Sequence, residues 1–247
     1  MDKKVALVTG SSRGIGKGIA KMLLEKNYIV YVNGRNQDDL EKVANELGSD
    51  VRLIVKDLSI DSVIKDSVDK IFEDENRLDL VVANIGSGKS ISGWDVNIQE
   101  YKRVFDVNFF SAVSLATHTI DIMKENGGHI VFISSIAGCE AVGAPITYSS
   151  AKTALLSFAK SLSNDVAKLN IRINSISPGN VMFDGSTWDE KMKTNKEMVD
   201  GYIEQNVPLN TFATPQDIAK AVLYLEDSSF MTGANIVIDG GQINKII

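Results

Sequence analysis

Apolar residues along the chain alternate between short continuous runs and longer stretches in which they recur three and four positions apart. The short runs, Val5–Val8, Ile29–Val32, Val51–Val55, Leu80–Ala83, His129–Ser134, Arg172–Ile176 and Ile236–Ile238, read as strands. The stretches between them have the spacing of amphipathic helices. This order predicts an α/β fold, a parallel sheet covered by helices on both faces. Linkers, repeats and low-complexity segments are absent, so one domain is expected over residues 1–247. The exception is the mostly polar segment 182–211 after the sixth strand. Two readings of it stay open, a solvated helical excursion and a lid over a pocket.

The first strand runs into GSSRGIG and then into a helical pattern ending near Lys26. A strand, a glycine-rich turn and a helix in that order are the context in which such a turn holds a dinucleotide. Gly10 allows the tight turn, Gly14 lets backbone approach a pyrophosphate, and Gly16 permits close helix packing.

A second group of residues has the chemistry of a carbonyl site. Tyr148 and Lys152 are four apart in TYSSAKTALLSFAKSL and share a helix face, while Ser135 ends a strand-like run. Active groups of open α/β sheets lie beyond the carboxyl ends of the strands, where the three can converge. A free Tyr has a pKa of about 10, far from neutrality. An ammonium about 4 Å away at an effective dielectric near 20 favours phenolate by roughly 4 kcal/mol, or roughly three pKa units. A Ser hydroxyl aimed at the same substrate oxygen stabilises charge there, and hydride is left to a cofactor. Tyr-x-x-x-Lys alone is common in helices; the glycine turn gives it weight.

With these motifs in place, the chain resembles the short-chain dehydrogenase/reductase family over nearly its whole length. Thr9, Gly10, Gly14 and Gly16 match the family's Thr-Gly-x-x-x-Gly-x-Gly motif, Asp57 in KDLS its adenine-contacting acid, and Asn84-Ile85-Gly86 its Asn-Ala-Gly element. Asn108 in FDVNFF, Ser135, Tyr148 and Lys152 match its catalytic residues, Pro178-Gly179 its Pro-Gly turn, and GANIVIDGG its last strand. The resemblance implies a Rossmann-type, doubly wound sheet. It implies cofactor contacts from Gly10, Arg13, Gly14, Ile15 and Gly16 in the first turn, and from Arg35, Asp57, Leu58, Asn84 and Gly86 after the next strands. Tyr148, Lys152, Pro178, Gly179 and Val181 complete the implied set.

In the implied reaction Tyr148 protonates a carbonyl oxygen held by Ser135, Lys152 binds nicotinamide ribose and tunes Tyr148, and Asn108 supports a proton relay through water. The resemblance also implies that 182–211 is a mobile lid and that the chain forms a homodimer or homotetramer. Departures are Ala83 and Ile85 beside Asn84, and Phe183 where the family often has a Thr that holds the nicotinamide carboxamide. Ser186 or Thr187 is expected to take that contact.

Charge bears on the choice of cofactor. An acid at the end of the second strand would bind the ribose hydroxyls of NAD, but Gly34 stands there, followed by Arg35, with Arg13 in the glycine loop. Two guanidiniums suit a 2′-phosphate, so NADP(H) is expected over NAD(H). A net charge of −6 disfavours a nucleic-acid partner. No apolar run is long enough for a bilayer and MDKK leads straight into the first strand, so no membrane association and a cytoplasmic location are expected. One cysteine, Cys139, and two histidines support neither a disulfide nor a metal centre. His118 and His129 are expected in packing or surface roles, and Trp94 and Trp188 in a pocket wall, the core or an interface.

The substrate expected is a small, polar, free carbonyl or hydroxy compound, possible partners on the lid being Asp184, Ser186, Thr187, Trp188 and Asp189. An acyl chain on an acidic carrier fits less well, because Glu125, Asn126 and Leu169 stand where docking cations would be useful, leaving Lys124 and Lys168. Three alternatives stay open: an NAD-dependent dehydrogenase of a sugar or hydroxy compound, a 3-oxoacyl-carrier-protein reductase, and a non-catalytic cofactor-binding module.

Overall fold

Residues 3–244, described by a computed structural model, form a seven-stranded sheet in the order β3-β2-β1-β4-β5-β6-β7. Every neighbouring pair is parallel. The strands are β1 (Val5–Val8), β2 (Ile29–Gly34), β3 (Val51–Val55), β4 (Leu80–Ala83), β5 (Gly128–Ile133), β6 (Ile171–Pro178) and β7 (Asn235–Ile238). The helices are α1 (Gly14–Glu25), α2 (Gln37–Leu47), α3 (Asp61–Glu75), α4 (Ile98–Phe105), α5 (Ser111–Met123), α6 (Ile146–Val166), α7 (Thr187–Thr194), α8 (Lys196–Asn206) and α9 (Pro215–Asp227). Residues 1–2 and 245–247 of the expected span lie outside those described.

The apolar runs are continuous because both faces of the sheet are covered. Alternate residues of one strand enter different cores: Val5 and Leu7 pack with Ile64, Ile71, Leu115 and Leu155 on the face of α3, α5 and α6. Ala6 and Val8 pack with Ile19, Leu23, Leu40 and Val222 on the face of α1, α2 and α9. Strands extend past the expected runs where polar residues keep the ladder. Asn33 and Gly34 stay in register with Ile54 and Val55, and the buried Asn33 amide donates to the carbonyls of Ile54 and Lys56 at 2.9 Å. A side chain that satisfies neighbouring backbone can sit inside a strand end.

The strand order reverses between β1 and β4, the point at which open α/β sheets form a crevice. All parts of the candidate site gather at this carboxyl edge.

Candidate active site

The turn after β1 is tied down by the end of β4. Thr9 Oγ1 accepts from the N–H groups of Asn84 and Ile85 at 3.0 and 3.2 Å, and the Asn84 amide donates to the carbonyls of Thr9 and Gly10, both at 3.0 Å. Gly10 and Gly14 hold φ of +60° and +56°, the left-handed region where a side chain is strained. A Cβ on Gly16 would lie 2.5 Å from the Gly10 carbonyl oxygen. The helix contact expected of Gly16 falls instead to Gly18, whose Cβ would meet Pro215 of α9 at 2.7 Å. Ala83 and Ile85 leave the anchoring by Asn84 intact.

Beside this turn is a cleft of about 420 Å³. Gly10, Arg13, Ile15, Arg35, Asp57, Leu58, Asn84 and Gly86 line it, together with Ser12, Gly34, Lys56 and Phe183. The residues fit a dinucleotide. α1 begins at Gly14 without a side-chain cap and with no acid in its first turn, so its N–H groups and dipole favour a phosphate. Arg13, Arg35 and Lys56 of the lining offer three cations; Lys56, two residues beyond a buried β3 position, carries no signal in the sequence because lysines at strand ends are ordinarily solvated. Arg35 stands 3.8 Å from the Asp57 carboxylate. A hydrogen bond from the Ser59 hydroxyl, more than Arg35, holds that carboxyl below its ordinary range.

The proton-handling residues converge between β5, α6 and the helix that crosses from α4 to α5. A π turn, Asp106–Phe110, interrupts that helix and carries Asn108, which is 1% exposed. Its Oδ1 accepts from the Ser87 N–H at 2.9 Å and its Nδ2 donates to the carbonyls of Ser87 and Val104. Gly86 is required here, since a Cβ would lie 2.9 Å from Asn108 Oδ1 and 3.1 Å from Lys152 Nζ. Ser135 follows β5 and caps a short 3₁₀ turn, accepting from the Ala137 N–H. Gly138 of that turn would place a Cβ 2.8 Å from Lys152 backbone, so α6 approaches closely.

Lys152 is 3% exposed, donates to the Ile133 carbonyl at 2.9 Å, and sits 5.9 Å from the centroid of the Tyr148 ring. Burial pushes its pKa down to about 8. Burial also raises the Tyr148 phenol, opposed by Ser135. The lowering of the Tyr148 pKa expected from an adjacent ammonium is opposed here by desolvation, which favours the neutral form of both groups, and the ammonium donates to a carbonyl. A protonated phenol beside a Ser hydroxyl is a proton donor.

Pro178 ends β6, and neither it nor Gly179 or Val181 is among the residues lining the cleft. The Gly179 N–H donates to the Ile238 carbonyl, and a Cβ there would collide with Gln242 and Asp239. The Val181 side chain belongs to the core beside α9. Ser186, expected with Thr187 to take the contact of the family Thr, caps α7, and Thr187 is the first residue of that helix.

Segment 182–211 forms the largely exposed helices α7 and α8 around a small apolar centre. Val199, Val207 and Phe212 form a core of their own with Trp188, Tyr202 and Met192 packed on it. Trp188 lies 4.6 Å from the Tyr202 ring and 4.7 Å from Phe212, and its indole N–H donates to Asn180. Asp184 and Asp189 pair with Lys193, and Asp189 accepts from the Gly185 N–H. Of the residues expected to meet a polar substrate, Ser186, Trp188 and Asp189 have partners within the segment, while Asp184 and Thr187 are exposed.

His118 bonds Asp61 near the surface, and His129 is buried at the opposite end of the sheet. Trp94 is 87% exposed.

Comparison with known proteins agrees with this architecture. Residues 10–242 match the family model described as enoyl-(acyl carrier protein) reductase, of the short-chain dehydrogenase/reductase family. The chain is 34% identical over 246 residues to a 3-oxoacyl-[acyl-carrier-protein] reductase of Chlamydia muridarum, covering 97% of each. It is 29% identical over 239 residues to carbonyl reductase family member 4 of Xenopus laevis, 96% of this chain and 97% of that protein. Among solved structures, ElxO with NADP bound superposes with a TM-score of 0.92 at 25% identity, covering 99% of this chain and 100% of that one. YwfH, an NADPH-dependent reductase of bacilysin biosynthesis, gives 0.92 at 27% identity with the same coverage. The chain belongs to the short-chain dehydrogenase/reductase family and is an NAD(P)-dependent oxidoreductase.

Proposed function

We propose that this chain is a single-domain, NADPH-dependent reductase that converts a carbonyl to a secondary alcohol. The observation that carries the reading is the convergence of Ser135, Tyr148 and the buried Lys152 beside a glycine cradle flanked by Arg13, Arg35 and Lys56. A bound nicotinamide supplies hydride to the carbonyl carbon. Ser135 holds the carbonyl oxygen and Tyr148, kept protonated by burial, delivers the proton. Lys152 takes the nicotinamide ribose and stabilises negative charge on Tyr148 as the proton leaves; Asn108, fixed by Ser87 and Val104, supports resupply through water.

A small free carbonyl compound is the preferred substrate. The net charge of −6 repels an acidic carrier, and Lys124, one of two cations left for docking, already pairs with Asp121 at 3.3 Å. With Ser186, Trp188 and Asp189 of the segment held by neighbours within it, recognition falls mainly to the cleft. The carrier-protein reductases among its relatives support a second reading, reduction of a 3-oxoacyl chain on a carrier. NADPH consumption over a panel of free carbonyl compounds and one carrier-bound 3-oxoacyl substrate decides between them: a much higher kcat/KM for the carrier substrate overturns the first reading.

The cofactor reading predicts tighter binding of NADPH than NADH and a shift toward NADH in Arg35→Asp; equal affinities in the parent protein, or a preference indifferent to that change, reject it. A cytoplasmic location and a homodimer or homotetramer complete the proposal. No helix among the described residues is long and apolar enough to cross a membrane, and exposed Ile98 and Phe110 on the α4–α5 helix, with Tyr224 and Phe230 near β7, suit contact between copies. Light scattering giving a monomer rejects the assembly.

A further inference from the structure

The ring of Phe183 rests on Gly14, with Cζ 2.5 Å and Cε2 2.6 Å from the position a Gly14 Cβ would take. Gly14 opens α1, and its backbone belongs to the surface on which a diphosphate would lie. A benzyl ring and a diphosphate exclude each other there. The same lid segment is tied to the glycine loop a second time, because Arg13 Nη1 donates to the Gly185 carbonyl at 3.2 Å. Behind it the chain is anchored by the parallel bridge between Val181 and Ala213. Ahead of it the lid packs on its own core of Val199, Val207 and Phe212, separate from the cores on the two sheet faces. The lid can therefore shift as a body without opening either sheet core, while Phe183 packs on the α1 face.

We propose that Phe183 is an affinity-setting plug of the diphosphate cradle, a role that rests on the reading of this chain as a nicotinamide-dinucleotide reductase. Cofactor seats only after the ring leaves Gly14 and Arg13 leaves Gly185, which frees the guanidinium for the ligand. The apparent dissociation constant is then the intrinsic one divided by the fraction of molecules with the cradle open. NADPH and NADH meet the same closed state, so the plug weakens both by one factor. The preference between them stays with Arg13, Arg35 and Lys56.

The test uses the full chain carrying Trp94→Phe, so that Trp188 in the lid is the remaining tryptophan. Stopped-flow mixing with NADPH is expected to give an observed rate that levels off with concentration, with Trp188 emission changing at that rate. Phe183→Ala is expected to bind NADPH and NADH each about tenfold more tightly, with their ratio held within about twofold and an observed rate that rises linearly. Phe183→Leu, which keeps apolar packing without the ring, falls between, and circular dichroism checks that each variant is folded. Unchanged or weaker binding in folded Phe183→Ala and Phe183→Leu overturns the plug, because the ring is then part of the wall that holds the cofactor. If the parent binds both cofactors equally while Phe183→Ala tightens both, the plug stands and the NADP(H) preference fails. Absence of binding by parent and variants alike defeats both.

Discussion

At the amino-terminal end of the sheet the partly buried Glu226 accepts from Lys4, Tyr28, His129 and Arg172, whereas at the carboxyl end the buried Lys152 has, among the described residues, the Ile133 carbonyl as its acceptor. Burial pushes Glu226 up, but hydrogen bonds from His129, Lys4 and Tyr28 outweigh it and hold the carboxyl at about 2. Burial meets no such opposition at Lys152, which falls to about 8. His129 completes the lower network as a neutral ring: Nδ1 donates to Glu226 at 3.1 Å and Nε2 accepts from Asn174 at 3.0 Å. A proton on Nε2 would face the Asn174 amide donor, which agrees with the lowered pKa that burial gives this histidine. One end of the fold compensates its charges and contributes stability; the other leaves titratable groups desolvated and poised, as proton transfer requires.

Removing the hub of the lower network should have the largest effect. Glu226→Ala is expected to lower the unfolding free energy by about 3–5 kcal/mol, since Arg172, His129 and Tyr28 lose the carboxylate they share. Urea unfolding checks this, with activity per folded molecule unchanged; a loss below about 1 kcal/mol breaks the contrast between the ends. The opposite sign is expected above. Lys152→Met should raise stability at neutral pH by up to about 3 kcal/mol, because a buried ammonium is replaced by an apolar chain of similar length, while NADPH binding weakens. Thermal melting that shows destabilisation makes Lys152 a structural residue.

Acid should act mainly through the lower end. Both His129 and Glu226 have folded pKa values below their ordinary 6.5 and 4.5. In each window the unfolded chain binds more protons, so stability falls as pH falls. The decline starts near 6.5 through His129 and steepens from 4.5 toward 2 through Glu226. Urea midpoints between these values measure it, and His129→Gln is expected to remove the upper part of the decline. A midpoint independent of pH down to 4.5 contradicts the assignment.

Much of this arrangement was readable in the sequence, where one physical signal sufficed. Continuous apolar runs gave the strands because both faces are buried, and Tyr148 and Lys152 fell on one helix face because they are four apart. Asn33 hid the end of β2, since its amide bonds neighbouring backbone and leaves no apolar signal. The core of segment 182–211 leaves no such signal, because Trp188, Val199, Tyr202 and Phe212 are separated by polar residues with no single period and come from α7, α8 and the chain that follows α8. Phe183 was visible as a departure, but its contact with Gly14 joins positions far apart in the chain. Spacing puts Lys152 beside Tyr148 but does not specify how deeply the pair is buried, and burial raises the phenol.

The central claim, that Tyr148 is the proton donor at the uncompensated end, is tested most directly by Tyr148→Phe with turnover and NADPH affinity measured on the same sample. The account predicts turnover lower by about 10²–10⁴-fold, the range of a lost general acid, with the dissociation constant for NADPH within about twofold of the parent. Turnover near the parent rate on any substrate the parent reduces would contradict it.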